Sequence, residues 1–240
     1  MSRHGKFSAT LVGCLVTLLG SMGASSADDS QVTAIDIALE PDATMMQHAE
    51  AANARLREAY PKGYSLDASH RPHITMLQRF VNTSDLDEVY AAVGAVLGGE
   101  KPAGWSLEAY KYDYVVWSGL GLTVIMVKTT PDLIAFQQKL IDAVAPFTVA
   151  KGTAAAFFTT PEDPDINQST IDYVTQYVPA SSGAKLIAHV TVGVAPPDFV
   201  KKMVAEPFAA FTFSPSAMSA YQVGNFGTAR KKLQAWEFKP

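Results

Sequence analysis

Two periods of apolar residues follow each other along the chain, one typical of strands and one typical of helices. Residues 32–41 place Ile35, Ile37 and Leu39 at every second position, which predicts a strand covered on at least one face. Residues 43–59 place apolar side chains at helical spacing and stop before a proline, which predicts a helix. The pattern thus opens with a strand followed by a helix.

The same patterns predict elements through the rest of the chain. A short β-rich run follows at 73–77, and a helix at 83–99 is indicated by a capping-box pattern of Ser84 and Asp87. Proline at 131 opens another helix with one apolar stripe. The remaining predictions are strands at 105–117, 122–128 and 185–194, a helix at 196–207, and closing strands at 210–215, 218–226 and 232–238.

The order of these elements repeats, although the residues outside two short motifs barely do. We therefore predict an α+β fold of two related lobes, each a small antiparallel sheet with helices on its outer face, around a central cleft. The polar region at 152–178 interrupts the second half and reads as an inserted loop with a short helix near 169–177. It could cover the cleft and restrict substrates.

Residues 1–27 have the composition of a secretory signal peptide, with basic residues ahead of an apolar run at 11–19 and small residues before the predicted cut. The run is shorter than the roughly 20 residues that a membrane span needs. We predict cleavage near Ala27 and a secreted or periplasmic protein of residues 28–240, without stable membrane insertion. The alternative is a lipoprotein anchored at Cys14, which the apolar residues after that cysteine disfavour.

Charge and cysteine content exclude several classes. The formal net charge is −4 at pH 7, and removal of the basic leader would make the chain more acidic. An anionic protein is a poor non-specific binder of duplex nucleic acid, because that affinity comes mostly from neutralising phosphates. The only cysteine is Cys14, so a chain cut at Ala27 has no thiol nucleophile, disulfide or cysteine-ligated metal.

Two short apolar runs each carry a histidine followed two residues later by a threonine. The first is HITM, which starts at His73, and the second is HVTV, which starts at His189. Side chains two apart on a strand share a face, so each histidine points the same way as its threonine, Thr75 or Thr191. One such run is typical of a histidine satisfied within a sheet. Its recurrence at matching places in two similar element orders favours a shared site.

Two imidazoles that face each other across a cleft suit acid and base catalysis. With an unperturbed pKa near 6.5, one ring can accept a proton while the other donates one. Threonine hydroxyls beside them can hold the non-bridging oxygens of a phosphate. The chemistry that fits is attack on a phosphodiester with no metal and no cofactor, and the sequence leaves open which histidine is the acid.

The paired tetrapeptides, which start at His73 and His189, resemble the signature of the 2H phosphoesterase superfamily, including the 2′,5′ RNA ligase-like proteins and cyclic phosphodiesterases. The resemblance implies a bilobed fold, metal-free chemistry on 2′,3′-cyclic or 2′,5′-linked phosphates, catalytic roles for both histidines, and phosphate binding by Thr75 and Thr191. By element order it covers most of residues 30–240. The long spacing between the motifs and the secretion signal both depart from the pattern, and the secretion signal puts ligation in doubt.

Other residues are weaker candidates. Arg79 and Lys185 have the parity of their histidines and are candidates for the outer cleft. Four aromatic side chains could stack a nucleobase, although aromatic residues in strands are more often core. His48 and His70 read as surface residues, with His70 a candidate for the wall of the site. Asp163 begins an acidic loop that lacks the glycine and glutamate of a calcium loop. The four aromatics are Tyr114, Trp117, Tyr221 and Phe226.

These observations predict a monomeric phosphodiesterase that hydrolyses a small nucleotide or oligonucleotide phosphodiester by paired-histidine catalysis. Two alternatives stay open. The same cleft could hold a nucleotide or another phosphorylated ligand without turnover. A two-histidine metal site is the weaker alternative, because no carboxylate or third histidine lies at ligand spacing in either motif.

Overall fold

The structure, a computed structural model, describes residues 31–238, so the predicted signal peptide lies outside the described residues. Within this range nine strands and five helices are present. Their bounds are β1 Val32–Pro41, α1 Ala43–Ala59, β2 Ile74–Asn82, α2 Leu86–Gly99, β3 Leu107–Trp117, β4 Leu120–Val127, α3 Pro131–Val144, β5 Thr148–Val149, α4 Gln168–Ser181, β6 His189–Ala195, α5 Pro197–Val204, β7 Phe211–Phe213, β8 Pro215–Val223 and β9 Ala229–Glu237.

The strands form two antiparallel sheets. The first has the order β5-β2-β1-β8-β9 and the second the order β6-β4-β3-β7. Each sheet contains one histidine motif, at the start of β2 in the first and of β6 in the second. The predicted α+β fold of two sheet-based lobes is confirmed.

Strand β1 lies at the centre of the first sheet and is buried on both faces. Ile35, Ile37 and Leu39 belong to the main apolar core, as their alternation predicts. The opposite face holds small and acidic residues, of which Asp36 and Glu40 are also buried. Because buried charges need partners, this face is where polar chemistry is concentrated.

The helices are exchanged between the two halves of the chain. Helix α1 follows the first strand in sequence, yet it packs on β6 of the second sheet, and its His48 ring stacks on Phe211 of β7 at 3.7 Å. Helix α5 also lies on the second sheet, whereas α3 and α4 lie against β2. The sequence predicts outer helices for each lobe but does not reveal this exchange.

Some predicted boundaries are wrong. Helix α2 starts at Leu86 after a 3-10 turn at Thr83–Asp85, and the Ser84 hydroxyl donates to Asp85 instead of capping the helix. The predicted capping box is therefore absent. The helix expected near 169–177 is present as the longer α4. Within residues 31–238 no helix is both long and apolar enough to cross a membrane.

Candidate active site

A cavity of about 420 Å³ is lined by residues of both sheets and carries both predicted motifs on its wall. His73 and Thr75 line it from the first sheet, and His189 and Thr191 line it from the second. Ligand sites for small molecules commonly enclose roughly 300–1,000 Å³. The structure thus brings two segments that are remote in sequence to one pocket of suitable size.

The ring of His73 is held on both of its nitrogens. Nδ1 lies 2.6 Å from the carbonyl oxygen of Arg71, and Nε2 lies 3.1 Å from Thr75 Oγ1 and 3.3 Å from Asp36 Oδ2. A carbonyl oxygen can only accept, so Nδ1 carries a proton. The atom that exchanges protons with the cavity is therefore Nε2.

The ring of His189 is held in the same way on one side only. Its Nδ1 donates to the carbonyl oxygen of Ile187 at 2.7 Å, again two residues earlier in the chain. Its Nε2 has no hydrogen-bond partner among the described residues. In the neutral ring, this Nε2 is an unoccupied acceptor on the cavity wall.

Each motif strand contains a β-bulge directly after its threonine. In β2 the strand partners pass from Thr75 to Leu77 while β1 advances by one residue, so Met76 is extra. In β6 the partners pass from Thr191 to Gly193, so Val192 is extra. A bulge leaves a residue outside the ladder and changes which face later residues occupy.

An amide side chain satisfies the carbonyl of each bulged residue. Gln137 of α3 donates to the Met76 carbonyl at 3.1 Å, and Asn53 of α1 donates to the Val192 carbonyl at 2.9 Å. Both amides are buried. Since a buried carbonyl without a partner is costly, these two helices fix the two motif strands by equivalent contacts.

Burial and charge move the pKa values of the two histidines in opposite directions. Burial alone would lower the pKa of His73, but the Asp36 carboxylate beside it raises that pKa above the usual 6.5. Burial lowers the pKa of His189 below 6.5, against the effect of the Ile187 carbonyl, and the charge of His73 lowers it further. Of the two rings, His73 therefore keeps its proton to higher pH than His189.

The hydroxyl groups of the two threonines also differ in their hydrogen bonding. The Thr75 hydroxyl donates to Asp36 Oδ2 at 3.0 Å, so its proton points away from a ligand. The Thr191 hydroxyl makes no hydrogen bond within residues 31–238. Both line the cavity as predicted, but Thr191 is the one whose donor is free for a phosphate oxygen.

A guanidinium group that the motif analysis did not single out also lines the cavity. Arg71 Nη2 donates to Glu40 Oε2 at 3.2 Å. Glu40 is buried and also accepts from Ser219 and Tyr221, each at 2.5 Å, and pairs with Lys232. Burial would raise the pKa of Glu40, but Lys232 and the two hydroxyls together lower it to about 2. Arg71 thus places a guanidinium group, held by Glu40, on the wall of the cavity.

The two cations proposed for the outer cleft have different positions. Lys185 lines the cavity, where its Nζ donates to the Pro179 carbonyl at 2.7 Å. Arg79 is not among the lining residues. The bulge at Met76 explains this, because it reverses the parity of β2, and Gln78 instead of Arg79 follows Thr75 on the cavity side and donates to Asp36 at 2.8 Å.

Aromatic side chains from three segments meet in the cavity wall. Trp117 at the end of β3 makes edge contacts with Phe226 at 5.4 Å and Tyr173 of α4 at 6.1 Å between ring centroids. Tyr114 also lines the cavity. Tyr221, in contrast, is fully buried. Three of the four aromatic candidates therefore lie where a ligand could contact them, together with Tyr173, which the sequence did not single out.

Phe226 is held in an unusual backbone conformation. Its φ of 60° lies in the left-handed region, which a bulky side chain rarely adopts. Its backbone N–H donates to Thr170 Oγ1 at 2.9 Å, and the ring remains 39% exposed. The strain places an exposed aromatic ring on the cavity wall.

His70 belongs to the cavity wall, as the sequence analysis allows. Its ring stacks on Tyr64 at 4.5 Å and lies 3.4 Å from Arg230 Nη1. Arg230 in turn donates to Asp163 at 2.8 Å. The acidic loop is therefore fastened to the wall by an ion pair. Among residues 31–238 no group of three or more His, Cys, Asp or Glu side chains is placed to hold a metal ion.

Comparisons with known proteins give structural neighbours only. No protein-family model matches the chain, and no curated protein does. Similar solved structures include Escherichia coli LigT complexed with ATP (12% identity, 88% of this chain and 100% of that chain, TM-score 0.43). Others are TT0787 of Thermus thermophilus (11%, 86% and 98%, TM-score 0.48) and Usb1 of Kluyveromyces marxianus (11%, 88% and 99%, TM-score 0.40).

At 11–12% identity and TM-scores of 0.40–0.48 the likeness concerns the course of the chain. What the site can do is inferred from its own residues.

Besides Tyr173, the contributors to the site that the sequence analysis missed include an acid, a cation and a second tyrosine of α4. Asp36 and Arg71 hold or flank His73, and Tyr177 of α4 lines the cavity. Asp36 had a visible signal, because it is an acid within an otherwise apolar alternating run. Arg71 and Tyr177 had none, since their positions depend on the packing of Glu40 and of α4.

Proposed function

We propose that the chain is a metal-independent phosphodiesterase of the 2H type that hydrolyses 2′,3′-cyclic or 2′,5′-linked nucleotide phosphodiesters. The observation that carries the proposal is the pair of histidines on one cavity, each with Nδ1 committed to a carbonyl, so that Nε2 is the nitrogen that can exchange protons; it has no partner in His189 and lies beside Thr75 and Asp36 in His73. The opposite pKa shifts favour His73 as the proton donor and His189 as the acceptor.

In this mechanism, His189 is the general base. Its Nε2 takes a proton from water as the water oxygen forms a bond to phosphorus. The bond between phosphorus and the leaving oxygen breaks, and His73 Nε2–H protonates that oxygen. The rings end with exchanged protonation states and return by proton exchange with solvent. Such positioned acid and base groups contribute about 10²–10⁴-fold each to a rate.

The rest of the wall fits a nucleotide. The free hydroxyl of Thr191 can donate to a non-bridging phosphate oxygen, and the Arg71 guanidinium supplies positive charge to the cavity wall. Trp117 and Phe226 offer ring surface on which a nucleobase can stack, an interaction worth about 1–3 kcal/mol per base. Hydrolysis is favoured over ligation because it requires only water as the second reactant.

The test is a panel of 2′,3′-cyclic mononucleotides and 2′,5′-linked dinucleotides incubated with the protein in EDTA, with products separated by chromatography and identified by ³¹P NMR. We expect ring opening or cleavage that is unaffected by the chelator. Calorimetric binding with the ligand recovered intact would support the binding-protein alternative. Activity that EDTA removes and a metal restores would support the two-histidine metal site. The absence of both binding and product would overturn the proposal.

A further inference from the structure

Asp36 is an enclosed carboxylate beside Nε2 of the His73 ring. It is 0% exposed, and its Oδ2 accepts hydrogen bonds from Thr75 at 3.0 Å and Gln78 at 2.8 Å. The same oxygen lies 3.3 Å from His73 Nε2. The other oxygen, Oδ1, is buried with no hydrogen-bond partner among the described residues.

A buried carboxylate that lacks donors on one oxygen is stable only beside a cation. Within residues 31–238, the only basic side chain within 4 Å of the Asp36 carboxylate is His73. The geometry therefore couples the charge of Asp36 to a proton on His73, independently of any titration argument.

The other charged and titratable groups around the ring do not replace this partner. On the first sheet, Glu40 is paired with Arg71 and Lys232, and the Tyr221 hydroxyl donates a hydrogen bond to Glu40. Burial raises the pKa of the Tyr221 phenol, so it stays neutral.

The second sheet and α4 also face the cavity. The second sheet contributes His189 and Asp113, and the Asp113 carboxylate is paired with Lys111 at 2.6 Å. Helix α4 contributes Tyr173 and Tyr177, whose phenols stay neutral because burial raises their pKa values. None of these groups supplies a second cation to Asp36.

The second sheet has no carboxylate at the equivalent position. The strand partner of Thr75 is Ala38, and Asp36 lies two residues before it on β1. The strand partner of Thr191 is Val124, and the residue two positions before it on β4 is Leu122. Leu122 lines the cavity as an apolar side chain. The backbones of the two strand pairs match through their bulges, but the side chains at the equivalent position, Asp36 and Leu122, differ in charge.

We propose that Asp36 is a positioning residue that keeps His73 in the proton-donating role, and that Leu122 at the equivalent position leaves His189 as the proton acceptor. The assignment of roles rests on the proposed function, whereas the pairing of Asp36 with His73 does not. Asp36 acts through His73, whose Nε2 it lies beside, and is not itself among the residues that line the cavity.

The experiment follows both imidazoles by NMR of ¹⁵N-histidine-labelled protein across a pH series. In Asp36→Asn, which keeps the size and an acceptor oxygen, we expect the His73 midpoint to fall by about 1–2 pH units, the usual effect of losing an opposite charge at this range. In Leu122→Asp we expect the His189 midpoint to rise. Leu122→Asn is the matched control and should leave both midpoints within about 0.3 units, because it adds no charge beside either ring.

Activity profiles separate this role from a purely structural one. Asp36→Asn should move the alkaline limb of the rate profile to lower pH, together with the His73 midpoint. Leu122→Asp should move the acid limb to higher pH. An unchanged His73 midpoint in folded Asp36→Asn protein would overturn the proposal. If that variant does not fold, an unchanged His189 midpoint in Leu122→Asp overturns it. If the midpoints move as expected but no nucleotide is hydrolysed, the proposed function fails and the pairing stands.

Discussion

Tyr177 donates a hydrogen bond of 3.0 Å from its hydroxyl to the backbone carbonyl of Thr75. Burial raises the pKa of this phenol well above its usual 10, so it remains a donor through the neutral range. The contact joins α4, which comes from the region that reads as an insertion, to the strand that carries the first motif. The inserted region is therefore a part of the cavity wall and not a detachable loop.

Loss of either catalytic imidazole should abolish most turnover. We expect His73→Ala and His189→Ala each to lower kcat by about 10²–10⁴-fold, because each removes one of the two proton transfers. The measurement is steady-state hydrolysis of the best nucleotide in the panel. His48→Ala, which removes a ring stacked on Phe211 outside the cavity, is the control. Near-normal turnover in either site variant would contradict the assignment.

The rate should depend on pH as a bell. Activity needs His189 neutral and His73 protonated. Because the pKa of His189 is lowered from 6.5, the acid limb should lie below that pH, and because the pKa of His73 is raised, the alkaline limb should lie above it. The check is kcat/KM across pH 4–10 in buffers of constant ionic strength. A profile that rises on one side only would leave one of the two histidines without its role.

The two threonines should differ when each is replaced by valine. Thr191→Val removes a free donor, so we expect kcat/KM to fall by about 10-fold or more with stability unchanged within about 0.5 kcal/mol. Thr75→Val removes a hydrogen bond to the buried Asp36, so unfolding free energy should fall by about 1–3 kcal/mol. Urea unfolding and kinetics on the same preparations test both. Equal stability of the two variants would count against the hydrogen-bond assignment.

The Phe226 ring should bind a nucleobase although the residue must hold an unfavourable backbone conformation. Phe226→Gly relieves a φ of 60° but removes a stacking surface. We expect KM to rise about 5–100-fold, the equivalent of one lost base stack, and stability to change by less than about 1 kcal/mol. Val116→Ala is the control, since Val116 is an exposed apolar residue outside the cavity lining. An unchanged KM would show that the nucleobase contacts other rings.

Glu40 should make the fold sensitive to acid. Its pKa is lowered from 4.5 to about 2, so the stability that its ionised form contributes is complete above pH 4.5 and is lost as pH falls toward 2. Glu40→Gln leaves Arg71 and Lys232 without their carboxylate and should destabilise the protein by about 3 kcal/mol at pH 7. Denaturant unfolding at pH 7 and pH 3 measures this, and the gap between variant and wild type should narrow at pH 3.

Glu50→Gln serves as the comparison for that measurement, because Glu50 is exposed on α1. It should cost less than about 0.5 kcal/mol at either pH. A loss of stability in Glu40→Gln that is the same at both pH values would mean that packing and not charge is responsible.

The sequence could predict what depends on short-range patterns. Alternation in β1, helical spacing in α1 and the repeated His-x-Thr pairs are properties of neighbouring residues, and the structure places them as expected. The repeat of element order was enough to predict that His73 and His189 share one cleft, because the equivalent strands β2 and β6 of the two sheets both contribute to its wall.

Other features could not be predicted because they depend on long-range contacts. The parity argument for Arg79 failed at the bulge, whose extra residue is compensated by Gln137 from another element. The exchange of α1 onto β6 and the position of Tyr177 are likewise set by tertiary packing. Asp36 was a partial exception, since an acid on the second face of an alternating strand is visible, but its partner is not.

The bulges at Met76 and Val192 also make the site sensitive to chain length. Deleting either residue would let its strand pair without interruption and would remove the carbonyl that Gln137 or Asn53 holds, so the motif strand would lose its buried contact with α3 or α1. The presence of one extra residue in each motif strand is therefore a determinant of the cleft in its own right. A scan by substitution would pass over it, whereas single-residue deletions and insertions at these two places would expose it.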